Sequence, residues 1–256
     1  MRYREPGICI RAVDYSETSQ VLGFFARDTG VVTLLAKGSK RAKSKSGGAI
    51  DVLCEGEVVF SLPPSGAMGT LMEFTETASH LDLRADAKRL NAALYMIELA
   101  GSLLAESDPH PRAFDLLHNA LGRLGAAEAP VAAVLAYFQW RMLRHVGLLG
   151  QLQECVACGR AVAPGDREAY FSSAQGGLLC RACEGAETEK SRLDADALAG
   201  LARLAAAAAG SGRARTGASG RAALPEPQAS AVNRLLAYHA AHQLGKPLKM
   251  ARHAIG

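Results

Sequence analysis

Four cysteines hold the most specific chemistry in this chain. Cys155-Val-Ala-Cys158 and Cys180-Arg-Ala-Cys183 are two Cys-x-x-Cys pairs separated by 21 residues. Paired thiolates at such spacing wrap a tetrahedral Zn2+ ion. Gly159 follows Cys158 where a metal knuckle must turn tightly and bend its N–H groups toward sulfur. Tyr170-Phe171 and Leu178-Leu179 flank Gly176-Gly177, the pattern of a hairpin that delivers the second pair. Four thiolates leave no open coordination position, so one structural zinc is expected and not a catalytic one. The competing readings are thiol pairs without metal, or a redox pair. A thioredoxin-like pair needs one Cys-x-x-Cys beside a βαβ pattern, which is absent. A zinc deaminase needs a His-x-Glu partner and a Pro before the knuckle, also absent. Cys9 and Cys54 stand alone in apolar strand patterns and are expected as small buried hydrophobes.

A second set of residues is electrostatic. Lys37, Lys40, Arg41, Lys43 and Lys45 fall in one stretch without an acid, although residues 1–80 balance nine basic against nine acidic side chains. From Leu193 onward there are eight basic residues and three acidic ones, on a chain of net charge +4. Positive charge segregated on a neutral background is the footprint of a polyanion partner. Gly38, Ser39, Ser44 and Ser46 are expected to free the backbone and add hydroxyl donors for phosphates. Five phosphate contacts to a single strand would give log affinity a slope of about −3.5 against log salt. Tyr15, Phe24, Phe25, Phe60 and Phe74 are candidate stacking partners, most of them expected in the core. Phe24 and Phe25 are strand neighbours and face opposite sides, which makes one of them a candidate for exposure.

Other chemistry is unsupported. No His-Glu-x-x-His or Gly-x-Ser-x-Gly occurs, and the glycine-rich run from Gly210 to Gly217 is not a phosphate-binding loop. Nothing points to an enzyme. No apolar run is long enough for a transmembrane helix, and Met1 to Pro6 lacks the core of a signal peptide. A reducing cytoplasm is the expected location.

The elements that must position these residues read in order. Gly7–Val13, Gln20–Phe25, Val31–Ala36, Asp51–Leu62 and Gly69–Thr75 are expected strands, and five short strands fit a closed β-barrel of the OB-fold kind. The basic stretch is then the loop after the third strand, ended by Gly47-Gly48. The period changes to about 3.6 after His80. Leu90, Leu94, Ile97, Gly101 and Leu104 mark one helix face. Phe114, Leu117, Leu121 and Leu124 mark a second, opened by Pro111. Val134, Leu135, Phe138, Met142 and His145 mark a third, opened by Pro130. A further helix is expected over Asp194–Ala209, a basic connector over 210–223, and a last helix from Pro225 through Val232, Leu235, Leu236 and His239 to Gly245.

The fold class is therefore α+β and multidomain: a five-stranded OB-fold β-barrel over 1–80, an α-helical domain over 81–154 and 193–256, and an inserted four-cysteine zinc module over 155–192. The order of motifs resembles the RecO family of bacterial recombination mediators and DNA repair proteins. The resemblance spans Thr29-Gly30-Val31, Ala36-Lys37-Gly38-Ser39-Lys40-Arg41, Cys155-x-x-Cys158-Gly159, Gly176-Gly177-Leu-Leu-Cys180-x-x-Cys183 and Leu244-Gly-Lys-Pro-Leu-Lys249. It implies binding of single- and double-stranded DNA, annealing of complementary strands and nucleoid association during repair. It implies RecR as a partner, RecF as a further candidate, and docking of the acidic tail of the single-stranded DNA-binding protein (SSB). By position, Lys37, Lys40, Arg41, Lys43 and Lys45 would contact DNA and Cys155, Cys158, Cys180 and Cys183 would hold Zn2+. Lys246, Lys249 and Arg252 would meet the SSB tail, with Met250 standing where a small polar residue is expected. The competing readings are a protein-docking adaptor with secondary DNA affinity and a thiol oxidoreductase.

Overall fold

The computed structural model describes residues 1–41, 44, 48–64, 68–150, 152–163, 168–209 and 224–256. Two compact units divide the chain, Met1–Ala127 and Glu128–Gly256.

In the first unit the strands are β1 (Arg2–Asp14), β2 (Gln20–Ala26), β3 (Gly30–Ala36), β4 (Glu55–Ser61) and β5 (Gly69–Ala78). They form a sheet closed in the order β1-β2-β3-β5-β4. Closure depends on the length of β1. Its first half pairs with β4, from Arg2↔Ser61 to Ile8↔Glu55, and its second half pairs with β2 after a register shift between Cys9 and Arg11. The expected strand began only at Gly7, because Arg2 to Pro6 has no apolar alternation and becomes extended through its pairing with β4. The fourth strand is shorter than expected. Leu53 has a left-handed backbone (φ 74°) that no strand accommodates, so Asp51–Cys54 is a turn. β3 and β5 are parallel and pair at Leu34↔Gly69 and Leu35↔Thr70. Near the start of β3 the same edge is met at Val31 by Glu106, which bridges it, and by Ser107, whose N–H donates to Val31 O at 2.8 Å. Covering an edge in this way blocks pairing with another chain.

The core of the closed sheet contains Cys9, Leu22, Phe24, Val32, Leu34, Cys54, Val58, Phe60 and Phe74. Burial pushes the Cys9 thiol up to about 12 and the Cys54 thiol to about 11, as suits core hydrophobes. Phe25 points outward from the sheet but is also fully buried. Its ring meets Phe114 edge-on at 5.6 Å, on helix α2 (Pro111–Leu124). Neither Phe24 nor Phe25 is exposed, because a helix covers the face that the sequence left open.

A short 3-10 turn (Leu81–Ala85) precedes α1 (Ala87–Leu103), capped by Asp86, whose carboxylate accepts from Lys88 N and Arg89 N. The buried face of α1 comprises Ala92, Ala93, Tyr95, Met96, Ile97, Leu99 and Ala100. Leu90 and Leu94 are half-buried and Gly101 is exposed, so the expected stripe is rotated: small alanines admit close packing that a count of large apolar residues overlooks. In α2 all four expected residues, Phe114, Leu117, Leu121 and Leu124, are buried.

The second unit is built on α3 (Val131–His145), α4 (Ala195–Ala209) and α5 (Glu226–Leu244), with α5 packed on the other two. Gln139 Nε2 donates to Asn233 Oδ1 at 2.8 Å inside the α3–α5 contact, and Asn233 Nδ2 donates to Ala132 O at 2.9 Å. His145, expected on the buried stripe of α3, is exposed in its last turn. Between α3 and α4 in the chain lies a three-stranded sheet of β6 (Ala169–Ser172), β7 (Gly177–Cys180) and β8 (Lys190–Arg192), with β6 central. The hairpin pairs Tyr170↔Leu179 and Phe171↔Leu178, as the sequence indicates. Gly245 ends α5 at φ 67°, the left-handed C-cap that favours glycine. A one-turn helix α6 (Ala251–Ala254) closes the described chain, and no helix among the described residues is long and apolar enough to cross a membrane.

Candidate nucleic-acid interface and metal centre

The basic loop begins where β3 ends, and a single buried side chain fixes its base. Gln20 Oε1 accepts from Ser39 Oγ and from Ile50 N, both at 3.0 Å, while Gln20 Nε2 donates to Ile50 O at 3.1 Å. One amide thus holds both ends of the loop. The Ser39 hydroxyl is buried and committed to Gln20, so it does not serve as the phosphate donor expected from the sequence. Ser44 Oγ accepts from Gly48 N at 3.0 Å.

The β1–β2 turn, residues 15–19, is stapled to this loop. Lys40 N donates to Thr18 O at 3.1 Å and Gly38 N donates to Ser19 Oγ at 3.2 Å. Between turn and loop lies a cleft of about 360 Å³ lined by Tyr15, Thr18, Ser19, Leu35, Lys37, Gly38 and Arg41. Lys37 and Arg41 are exposed and have no ion-pair partner among the described residues. Lys40 differs, because its Nζ lies 2.8 Å from Asp14 Oδ2. Lys43, Lys45 and Ser46 lie outside the described residues, as does the connector 210–223. Of the five aromatic candidates Tyr15 alone is exposed, at 67%. The sequence reading missed the contribution of Thr18 and Ser19 to this wall and the neutralising Asp14. The polar run from Asp14 to Ser19 between two strands was the available signal.

In the second unit the four Sγ atoms of Cys155, Cys158, Cys180 and Cys183 all lie within 4.8 Å of one another, a cluster that could hold a metal ion. Cys158 and Cys180 sulfurs are 3.8 Å apart. A tetrahedron with Zn–S bonds of about 2.3 Å places sulfurs about 3.8 Å apart, so the spacing fits that ion. Gly159 turns the first knuckle at φ 71°, and its N–H donates to Cys155 O at 2.8 Å. Burial pushes the Cys155 thiol up, but backbone hydrogen bonds with Cys180, Ala157 and Cys158 outweigh it, and the net shift is down to about 6. Hydrogen bonding of the Cys183 thiol to the sulfurs of Cys158 and Cys180, with burial added, raises it to about 12. Cys155 is thus favoured as thiolate and Cys183 as thiol.

α5 seats this module on the helices. His239 is fully buried, its Nε2 is 2.8 Å from Leu148 O, and its ring meets Phe171 edge-on at 5.2 Å. Burial holds its imidazole below the ordinary value. Gln243 Nε2 donates to Ser173 O at 2.6 Å and Tyr238 OH donates to Glu189 at 2.6 Å. Past Gly245, Lys246 and Arg252 are exposed, as is Lys249, around the buried Leu248, with Met250 half-buried at the start of α6. Arg252 Nε donates to His253 Nε2 at 2.9 Å.

These parts define a mixed α/β protein with a closed five-stranded sheet followed by helices, and with a four-cysteine cluster between two of them in the chain. Comparison with known families makes the class specific. Residues 1–80 match the family described as Recombination protein O N terminal, and residues 84–252 match Recombination protein O C terminal. The chain belongs to the RecO family. The DNA repair protein RecO of Anaeromyxobacter sp. (strain Fw109-5) is 31% identical over 252 residues, covering 98% of this chain and 94% of that protein. The DNA repair protein RecO of Myxococcus xanthus is 30% identical over 248 residues, covering 97% and 95%. That of Rhodopirellula baltica is 31% identical over 198 residues, covering 77% and 73%.

Proposed function

We propose that this chain is a recombination mediator that binds single- and double-stranded DNA, anneals complementary strands and, with RecR, acts on SSB-coated DNA to help load the recombinase. The observation that carries this reading is the pair Lys37 and Arg41, exposed and without acidic partners among the described residues, in a cleft on the closed sheet of a RecO-family chain. A β1 that pairs with both β2 and β4, and a parallel β3–β5 contact, support reading residues 1–80 as an OB-type domain. Such barrels bind oligonucleotides on the strand 2–3 face and the adjoining loops.

The mechanism needs no bond to be made or broken. Two complementary strands repel through their phosphates. Lys37 and Arg41, with Lys40, Lys43 and Lys45 beside them in sequence, would replace the counterions of both strands and lower that repulsion while leaving base edges free to pair. Nucleotide hydrolysis has no place in this scheme, and the protein acts as a scaffold and not as an enzyme.

Residues 155–192 are read as a zinc module inserted between helical segments 81–154 and 193–256. Cys155, Cys158, Cys180 and Cys183 would hold the ion. Zn2+, when bound, supplies a cross-link between the knuckles, worth about 10–16 kcal/mol of apparent folding energy in isolated zinc-finger peptides. Lys246, Lys249 and Arg252 around Leu248 have the charge and apolar content to dock an acidic, hydrophobic tail such as that of SSB. RecF is a further candidate partner, and the cytoplasm is the matching location.

The test is annealing of complementary labelled strands, bare and SSB-coated, without ATP. The wild type is expected to anneal both. Lys37→Ala/Arg41→Ala is expected to fail on both while keeping its fold. If the wild type anneals neither yet binds SSB, the docking-adaptor reading replaces this one.

A further inference from the structure

The cleft holds more than charge. Tyr15 is 67% exposed, and its side chain makes no hydrogen bond or ring contact among the described residues. The other four aromatics considered for stacking are buried: Phe24 against Phe74, Phe25 against Phe114 and Phe60 against Tyr3. An exposed tyrosine on a surface turn keeps its apolar ring in water, a cost relieved only when something covers it.

This turn is braced. Tyr15 N donates to Ser19 O at 2.9 Å and Ser16 N donates to the same oxygen at 3.2 Å, so the turn closes on itself before it is tied to the basic loop. Tyr15 therefore stands on a held backbone and lines the same cleft as Lys37 and Arg41. An apolar row extends from it across the outer sheet surface. Val13 pairs with Val21, Val21 with Leu35, and Leu35 with Thr70, each opposite in face to the core residues Leu22 and Leu34. Leu35 is also a wall of the cleft. A flat ring, an apolar floor and two cations are the three parts of a site for a base with its phosphates.

We propose that Tyr15 is a base-stacking platform: its ring receives one unpaired base of a strand whose flanking phosphates meet Lys37 and Arg41. This rests on the DNA-binding reading above and adds what that reading lacks, a source of preference for single strands. Both faces of a base within a duplex are occupied by its neighbours, so a duplex offers the cleft phosphates alone. Base–aromatic stacking tolerates any base, which suits a protein that must act on unrelated sequences.

The experiment measures affinity of the full chain for an oligo(dT) strand, for the same strand carrying abasic sites, and for a duplex of equal length. Wild type, Tyr15→Ala, Tyr15→Trp and Lys37→Ala/Arg41→Ala are compared at fixed salt, with thermal melts to verify the fold. Tyr15→Ala is expected to lose about tenfold or more on oligo(dT). It should change duplex affinity by less than about twofold, the range of an exposed substitution. Tyr15→Trp should retain oligo(dT) binding. Wild type should bind the abasic strand no better than Tyr15→Ala binds oligo(dT). Equal losses on strand and duplex, or no loss on oligo(dT), would overturn the stacking role. Unchanged binding of every nucleic acid by the Lys37/Arg41 variant would instead overturn the cationic cleft, a separately readable result.

Discussion

Lys40 Nζ lies 2.8 Å from Asp14 Oδ2, so the second cation of the basic loop is paired with the last residue of β1. The five positive residues of that loop are therefore not equivalent. Lys37 and Arg41 line the cleft without an acid among the described residues, whereas Lys40 must release Asp14 to meet a phosphate. Replacing Lys37 or Arg41 by Ala should each weaken single-strand binding by about fivefold at 0.1 M salt, as loss of one phosphate contact implies. Lys40→Ala should cost less than either. Asp14→Asn should raise affinity by about two- to fivefold, the value of an exposed ion pair. Anisotropy titrations with one labelled strand read all four variants. If Lys40→Ala proves the most damaging, the pairing with Asp14 does not persist in solution.

Phe25 offers a test of which aromatic residues are structural. Its ring is fully buried against Phe114 of α2, on the outer face of the sheet. Phe25→Ala should lower unfolding free energy by about 3–5 kcal/mol, read from a urea transition. The folded fraction should keep its DNA affinity. A variant of normal stability and impaired binding would place Phe25 on the interface instead.

Parts of this architecture were legible because they depend on local order. The knuckle spacing, Gly159 after Cys158, the hairpin at Tyr170 and Leu179, the opening of α2 at Pro111 and the stop of α5 at Gly245 each follow from neighbours within a few positions. What stayed hidden depends on distant partners. The first half of β1 is extended only because Arg2 to Pro6 lies against β4. The short β8 pairs with β6 at Arg192↔Tyr170 from beyond the second knuckle. The commitment of Ser39 to Gln20 and of Lys40 to Asp14 arises because strand pairing brings residues from β1 and β2 to the base of the loop. Charge and hydroxyl content could be counted from the sequence; which of those groups remain available could not.

Loading of the cysteine cluster should release protons. In the metal-free protein Cys183 holds its proton to about pH 12, so above pH 6 metal binding must displace at least that one. Cys155 becomes protonated as pH falls through about 6, and below that a further proton must be displaced. Zinc affinity should therefore fall with falling pH and fall more steeply below about 6. Competition with a chromophoric chelator across roughly pH 5 to 8 measures the slope. A pH-independent affinity would exclude thiolate ligation.

Removal of zinc should loosen the second unit and leave the first intact. Cys155→Ser should abolish stoichiometric zinc, because Cys155 is buried beside β7, bridging Leu178. The single tryptophan, Trp140, is buried on α3 beneath the guanidinium of Arg144 at 5.2 Å, and it reports on this unit. Its emission should shift to longer wavelength at lower denaturant in the Cys155→Ser protein. Single-strand binding by the first unit should persist. Loss of DNA binding together with zinc would show that the cluster takes part in the interface.

Lys37 and Arg41 are proposed to bind the phosphates of a single strand. The most direct measurement is the slope of log affinity against log salt for an oligo(dT) strand, for wild type and for Lys37→Ala/Arg41→Ala. Two lost phosphate contacts should make the slope shallower by about 1.4. An identical slope in both proteins would contradict the account, because the cleft would then hold no phosphate that these residues neutralise.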